Sequence, residues 1–321
     1  MARNQTILLA AGGTGGHLFP AYALAEELGR RDYAVDLVTD MRGDRYGTGF
    51  PARTIHQVPS ATLASKSPLE VAKTGLTLTR GILAARKLMQ DVRPAVVVGF
   101  GGYPTFPPLL AARQFRIPAM LHEQNAVLGR ANKMLARRVD AIATSFEATK
   151  FLDGPLLAKA RVTGNPVRGI VIEAAATPYP PVGPSDPFTL LVFGGSQGAR
   201  YFSEAVPPAL NLLPPNLRNR LNVVQQAREE DLASVRDAYA TSGITADVAP
   251  FFKDLPARIA ASHLVVGRAG ASTVAELTVI GRPSILVPLP HSLDNDQLQN
   301  ASRLAESGGA WCIEQKTLSP E

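Results

Sequence analysis

Cysteine is nearly missing from this sequence: Cys312 is the only one among 321 residues. No internal disulfide can form, which fits a reducing compartment, and the expected role of Cys312 is that of a small buried hydrophobe beside Trp311. Also missing is any apolar run near the roughly eighteen residues that cross a bilayer, which excludes an integral membrane helix. The first apolar run, ILLAA, stops at Gly12 and is too short for a secretory h-region, so a cytosolic location is expected. What is present has a globular balance, 45% hydrophobic and 19% charged, with enough length for two domains. The net charge of +6 suggests a polyanionic partner: nucleic acid, an anionic membrane or a phosphorylated substrate.

Short aliphatic runs alternate with segments of helical spacing, first as TILLA (6–10), VDLVT (35–39), AVVVG (95–99), IPAML (117–121) and DAIAT (140–144). The alternation restarts with FTLLVF (188–193), LNVVQQ (221–226), HLVVG (263–267) and PSILVP (283–288). This is the pattern of βαβ units around parallel sheets, built twice. Between the halves, AAATPYPPVGPSDP (174–187) carries five prolines and sustains neither helix nor central strand. The expected organisation is an α/β protein with two Rossmann-like domains: 1–165, a Pro-rich interdomain linker at 166–187, and 188–321.

Glycine turns recur in matched pairs. LLAAGGTGGH (8–17) mirrors LLVFGGSQGAR (190–200), and VVVGFGGYPT (96–105) mirrors LVVGRAGAST (264–273). Each follows a strand and precedes a helix, where glycine permits positive φ and a helix N-terminus offers N–H groups to an anion. No complete G-x-G-x-x-G occurs, since positions 18 and 20 are Leu and Pro, and no Walker loop is present. HEQNA lacks the second histidine of a zinc motif because residue 126 is Ala. DND (294–296) sits in a polar, helix-like segment, and no metal or cofactor is expected. Two nucleotide-fold halves without a dinucleotide fingerprint point to a ligand between them.

GGTGGHLFPA (12–21), GFGGYPTFPP (99–108), HEQNAVLGRAN (122–132), GNPVR (164–168), GGSQGAR (194–200), GRAGASTVAE (267–276) and DNDQLQNA (294–301) together resemble the MurG family, the GT-B-fold N-acetylglucosaminyltransferases of bacterial peptidoglycan synthesis. The resemblance implies two parallel sheets facing across a cleft. It also implies inverting transfer of N-acetylglucosamine from UDP-GlcNAc to the 4-hydroxyl of the muramoyl sugar of lipid I, giving lipid II. The acceptor and the membrane would fall to the first domain and the donor to the second, at the cytoplasmic face of the inner membrane. No nucleic acid is implied, and other cell-wall synthesis proteins are candidate partners. The family usually continues through further helices, so the donor domain is expected to be incomplete at its C-terminus. The loop PSATLASKSP (59–68) departs from the family pattern, and its acceptor contacts are not carried over. A UDP-GlcNAc epimerase of the same fold, or a non-catalytic UDP-sugar-binding scaffold, are the alternatives.

His17 is a candidate catalytic base, because an imidazole of ordinary pKa accepts a proton near neutrality. Glu123 is its rival, and His17 could instead cap the first helix. Arg168 suits a diphosphate as a stiffly approached guanidinium, or is a solvated surface residue. Ser196 could cap its helix, bind a phosphate oxygen, or both. Glu276 completes a capping box with Thr273, whereas the resemblance gives its carboxylate the ribose hydroxyls. The resemblance also carries donor contacts onto Thr14, Gly15, Gly16, Asn125, Gln297, the turn Ala271, Ser272, Thr273, Val274 and Ala275, and Phe252 through its backbone.

From Val71 to Met89 the spacing predicts a helix with two faces. Val71, Gly75, Leu78, Ile82, Ala85 and Met89 form the expected core stripe. Opposite run Lys73, Leu76, Arg80, Leu83 and Lys87, which suit an anionic membrane surface or are an unremarkable exposed face.

Overall fold

The computed structural model describes residues 5–12, 15–40, 49–60, 67–195 and 198–319. The chain divides into two compact units, Met1–Arg168 and Gly169–Glu321.

In the first unit the strands are β1 (Thr6–Ala10), β2 (Ala34–Thr39), β3 (Thr54–Gln57), β4 (Val96–Gly99), β5 (Ala119–Glu123), β6 (Ala141–Thr144) and β7 (Ala160–Val162). All pair in parallel, in the order β3-β2-β1-β4-β5-β6-β7. Four helices cover them: α1 (Gly15–Arg30), α2 (Pro68–Val92), α3 (Phe106–Gln114) and α4 (Arg130–Leu135). β1 is apolar from Ile7 to Ala10 because both of its faces are covered. Ile7, Leu9 and Ala11 join Leu18, Ala21 and Ala25 of α1, while Leu8 and Ala10 join Ala85 and Met89 of α2 and Leu109 of α3. Each fully buried leucine contributes about 1.5–3 kcal/mol to this core.

The second unit opens with α5 (Gly169–Ala175) and continues through β8 (Phe188–Phe193), α6 (Arg200–Asn211), α7 (Pro215–Arg218), β9 (Leu221–Gln226), α8 (Leu232–Ser242), β10 (Thr245–Ala249), α9 (Leu255–Ala261), β11 (Leu264–Gly267), α10 (Ala271–Ile280), β12 (Ser284–Leu286), α11 (Asp296–Glu306) and β13 (Ala310–Cys312). Its sheet is also parallel, in the order β10-β9-β8-β11-β12-β13.

The Pro-rich stretch, expected as an interdomain linker at 166–187, is anchored to the second unit over residues 177–181. α5 packs on α9 and α10. Arg282 donates to the carbonyls of Thr177 (2.9 Å) and Pro178 (3.0 Å). The Tyr179 hydroxyl donates to the His263 carbonyl at 2.9 Å. His263 accepts from the Thr189 N–H at Nδ1 and donates from Nε2 to the Pro181 carbonyl, its ring stacked on Phe188. Proline has no N–H to give a ladder, so this segment is held by its carbonyls, and it is part of the second unit.

α2 runs from the N-cap Ser67, whose hydroxyl accepts from the Glu70 N–H. Ala85 and Met89 are buried and Leu78 and Ile82 half-buried, whereas Gly75 is exposed, so the expected core stripe holds only along the C-terminal half. The side chain of Val71 lies outside the described residues. Lys73, Arg80 and Lys87 are exposed, together with Leu76 (54%) and Leu83 (60%).

Candidate active site

Each sheet reverses its strand order beside its first strand, between β1 and β4 and between β8 and β11. Such a switch point opens a crevice at the carboxyl ends of the strands, because the two neighbouring connections leave in opposite directions. All four glycine turns stand at these two points.

At the first, Gly12 leaves β1 and α1 begins at Gly15 and Gly16. Thr14 lies outside the described residues. His17 sits in the first turn of α1, half-buried, with Nδ1 3.2 Å from the Gly12 carbonyl. A carbonyl only accepts, so Nδ1 carries the proton and Nε2 is the acceptor nitrogen of the neutral ring. The second turn closes over this ring. Gly101 and Gly102 have φ of 89° and 75°, and a Cβ on Gly101 would stand 3.2 Å from His17 Cδ2. Both backbone conformation and space therefore demand glycine at position 101. Arg168 lies 4.2 Å above the ring of Phe19, two residues along the same helix.

β5 delivers the next group to the same end of the sheet. Glu123 is 1% exposed, and its two oxygens meet four donors. Oε1 accepts from Asn125 N (3.0 Å) and Nδ2 (3.3 Å), and Oε2 from Gly129 N and Asn132 Nδ2, both at 2.8 Å. Burial holds this carboxyl above the usual range, and the four donors offset that only in part. His122 beside it is lowered to about 4 by burial and is neutral at pH 7. Its Nε2–H donates to the Gly164 carbonyl at 3.0 Å, while Nδ1 accepts from Gln124 Nε2. This ties β5 to the turn that leads to Arg168.

In the second unit Gly194, Gly195 and Gly198 link β8 to α6, with φ of 85° at Gly195 and 70° at Gly198. Ser196 lies outside the described residues. After β11, the N-cap of α10 is Gly270, not Thr273. Thr273 is already inside the helix, so the expected capping box with Glu276 does not form. Glu276 stands in the helix interior, 6% exposed, and needs a different explanation. Ala271, Ser272 and Thr273 open the helix where backbone N–H groups have no intrahelical acceptor, and Val274 and Ala275 complete that turn. Ser272 Oγ is buried without a hydrogen-bond partner among the described residues.

α11 brings Gln297 and Asn300 to the same turn. Gln297 Oε1 accepts from Ala269 N (3.3 Å) and Leu289 N (3.0 Å), leaving its amide nitrogen as the group able to meet a ligand. Asn300 Nδ2 donates to the Ala269 carbonyl at 3.1 Å. Phe252 is buried with Arg258 4.2 Å above its ring, whereas Phe251 is 61% exposed.

Asn132, His122 and Gln226 were not among the residues expected from the sequence. Each is polar, 5% exposed or less, and placed at or beside the carboxyl end of a strand. For Gln226 the available signal was a polar pair closing the apolar run LNVV.

Residues 7–144 match the glycosyltransferase family 28 N-terminal domain and residues 189–321 its C-terminal domain. The UDP-N-acetylglucosamine–N-acetylmuramyl-(pentapeptide) pyrophosphoryl-undecaprenol N-acetylglucosamine transferase of Rhizobium rhizogenes is 58% identical over 98% of this chain and 84% of its own. The enzyme of the same name from a Chelativorans species is 56% identical over 99% and 84%. Among solved structures, Acinetobacter baumannii MurG is similar at a TM-score of 0.78 and 29% identity, covering 98% of this chain and 87% of that one. The UDP-GlcNAc 2-epimerase of Neisseria meningitidis, at 14% identity and a TM-score of 0.61 over 95% and 92%, shares the fold alone. With both halves matched and such identity over nearly its whole length, the chain belongs to glycosyltransferase family 28.

Proposed function

We propose that this chain transfers N-acetylglucosamine from UDP-GlcNAc to the 4-hydroxyl of N-acetylmuramic acid in lipid I, forming lipid II. The observation that carries this reading is the 58% identity to a transferase of that name over 98% of the chain. Purified protein given labelled UDP-GlcNAc should place label in lipid only when lipid I is supplied. Release of UDP and free sugar without acceptor would instead mark an epimerase, and binding without turnover a scaffold.

The second unit holds the donor. Glu276 accepts from both ribose hydroxyls, and the helix N-termini that follow the Gly194–Gly198 and Gly267–Gly270 turns face the diphosphate, with Ser196 and Ser272 as hydroxyl donors. Phe252 meets the base through its backbone, Gln297 meets the sugar through its amide nitrogen, and Arg168 adds a guanidinium for the leaving diphosphate. In the first unit His17 Nε2 takes the proton of the attacking hydroxyl. The new bond forms at the anomeric carbon as its bond to UDP breaks, so the α-linked donor yields a β-linked product. Thr14, Gly15, Gly16 and Asn125 add donor contacts. Glu123, with four donors on its carboxylate, holds the loop that carries Asn125 and does not face the reacting atoms.

Glu276→Ala should raise the donor KM by about tenfold to a hundredfold, the usual worth of hydrogen bonds to a charged group, with the acceptor KM unchanged. An unchanged donor KM would remove Glu276 from the ribose.

No helix among the described residues is long and apolar enough to cross a membrane. The exposed face Lys73, Leu76, Arg80, Leu83 and Lys87 serves as a peripheral contact with anionic lipid at the cytoplasmic face of the inner membrane, where lipid I is met. Each basic residue contributes about 1 kcal/mol at such a surface. Reversing Lys73, Arg80 and Lys87 to Glu should abolish sedimentation with anionic vesicles at low salt; vesicle binding equal to wild type would discard this face.

A further inference from the structure

β9 lies between β8 and β10, so its last residue can reach the turns that leave both neighbours. That residue is Gln226, 5% exposed. Its Oε1 accepts from Gly194 N at 3.0 Å. Its Nε2 donates to the Gly195 carbonyl at 3.0 Å and to the Pro250 carbonyl at 3.1 Å. Both amide hydrogens and one oxygen lone pair are thus spent on two loops and none on β9 itself.

The two loops differ in what they carry. Gly194 and Gly195 begin the turn into α6, and Pro250 begins the segment Phe251–Phe252 that leads to α9. Among the described residues no backbone hydrogen bond joins the two loops. Gly195, at φ 85°, is held in a region that other residues rarely adopt, and this side chain grips the Gly194–Gly195 pair from both sides: Oε1 accepts from the Gly194 N–H and Nε2 donates to the Gly195 carbonyl.

We propose that Gln226 is a positioning residue of the donor site, setting the spacing between the turn that meets the diphosphate and the segment that meets the base. This rests on the reading that the second unit holds the nucleotide. A spacing role makes a specific demand on affinity. A ligand that occupies only one loop, such as uridine, is indifferent to the spacing, whereas UDP must satisfy both loops at once.

Gln226→Met keeps length and approximate volume while deleting all three hydrogen bonds. Titration of the full chain with UDP and with uridine should show the UDP-to-uridine affinity ratio falling about tenfold, as two or three lost hydrogen bonds allow. The donor KM should rise with it while the acceptor KM stays unchanged. A role confined to folding would lower the melting temperature and leave the ratio where it was, which overturns the proposal.

Gln226→Glu supplies a second reading that does not depend on how well the Met variant folds. Its carboxylate confronts the carbonyls of Gly195 and Pro250, and protonation restores one donor. The ratio, normalised to wild type at each pH, should therefore recover as pH falls for Glu and stay flat for Met. A flat profile for both variants overturns the proposal. Glu276→Ala in the same titration separates the two levels: if it also leaves UDP and uridine affinity unchanged, the donor site is not in this unit, and if it alone weakens binding, only the role of Gln226 falls.

Discussion

His17→Ala should lower turnover by about 10²–10⁴-fold, the usual cost of removing a general base, with UDP-GlcNAc binding nearly intact. The expectation rests on the tautomer. Because Nδ1–H is directed to the Gly12 carbonyl, the lone pair of the neutral ring stands on Nε2, and that nitrogen is the one against Gly101, where a Cβ would come within 3.3 Å. Positions 101 and 102 carry no Cβ where the second turn meets this ring, which is the room an incoming hydroxyl needs. A helix-capping role would act differently, since the loss would fall on stability, at about 1 kcal/mol, and not on the chemical step. Single-turnover measurements with saturating lipid I isolate that step. Turnover within a few-fold of wild type, where chemistry limits the rate, would remove His17 from the proton transfer.

How far the sequence reveals this molecule depends on whether a residue is paired on both sides. Central strands such as β1, β4, β8 and β11 are covered on both faces, are apolar over most of their length, and are legible as short aliphatic runs. The strands that go unread, β3, β10 and β13, all lie at sheet edges. Thr54–Gln57 has no buried residue and Thr245–Ala249 has only Val248, so their composition carries no strand signal. The glycine turns are legible because positive φ and close contact leave few alternatives. Capping is not: the sequence offers Thr273 and Glu276 at the right spacing, yet Gly270 starts the helix three residues earlier, because the chain leaves β11 directly into the turn. The prolines of 174–187 correctly exclude helix and central strand over most of that stretch, but nothing local announces that Arg282 and His263, about a hundred residues on, hold it by its carbonyls. Gln226 is the same case, a single polar side chain whose meaning lies entirely in two distant loops.

Glu123→Ala should cost about 3 kcal/mol of unfolding free energy, since it leaves four donors facing a cavity, one buried and three part-buried, and each unsatisfied buried group costs about 1–3 kcal/mol before relaxation. Two of those donors are the backbone N–H groups of Asn125 and Gly129, which cannot turn away without moving the loop, and a third is Asn132, whose amide also stands 3.4 Å from the Cβ position of Gly101. The effect on catalysis should therefore arrive through geometry: turnover falls, but by less than in His17→Ala. Glu123→Gln is the sharper variant. It keeps the shape and replaces one acceptor oxygen with an NH₂ that faces two donors, so it should unfold at lower urea than wild type and recover much of the lost stability relative to Ala. A proton-accepting Glu123 predicts the reverse pattern, with stability within about 1 kcal/mol of wild type and turnover lost by the full 10²–10⁴-fold of a missing base. Urea melts and single-turnover rates on the same two variants decide between them, and the second pattern would transfer the proton from His17 to Glu123.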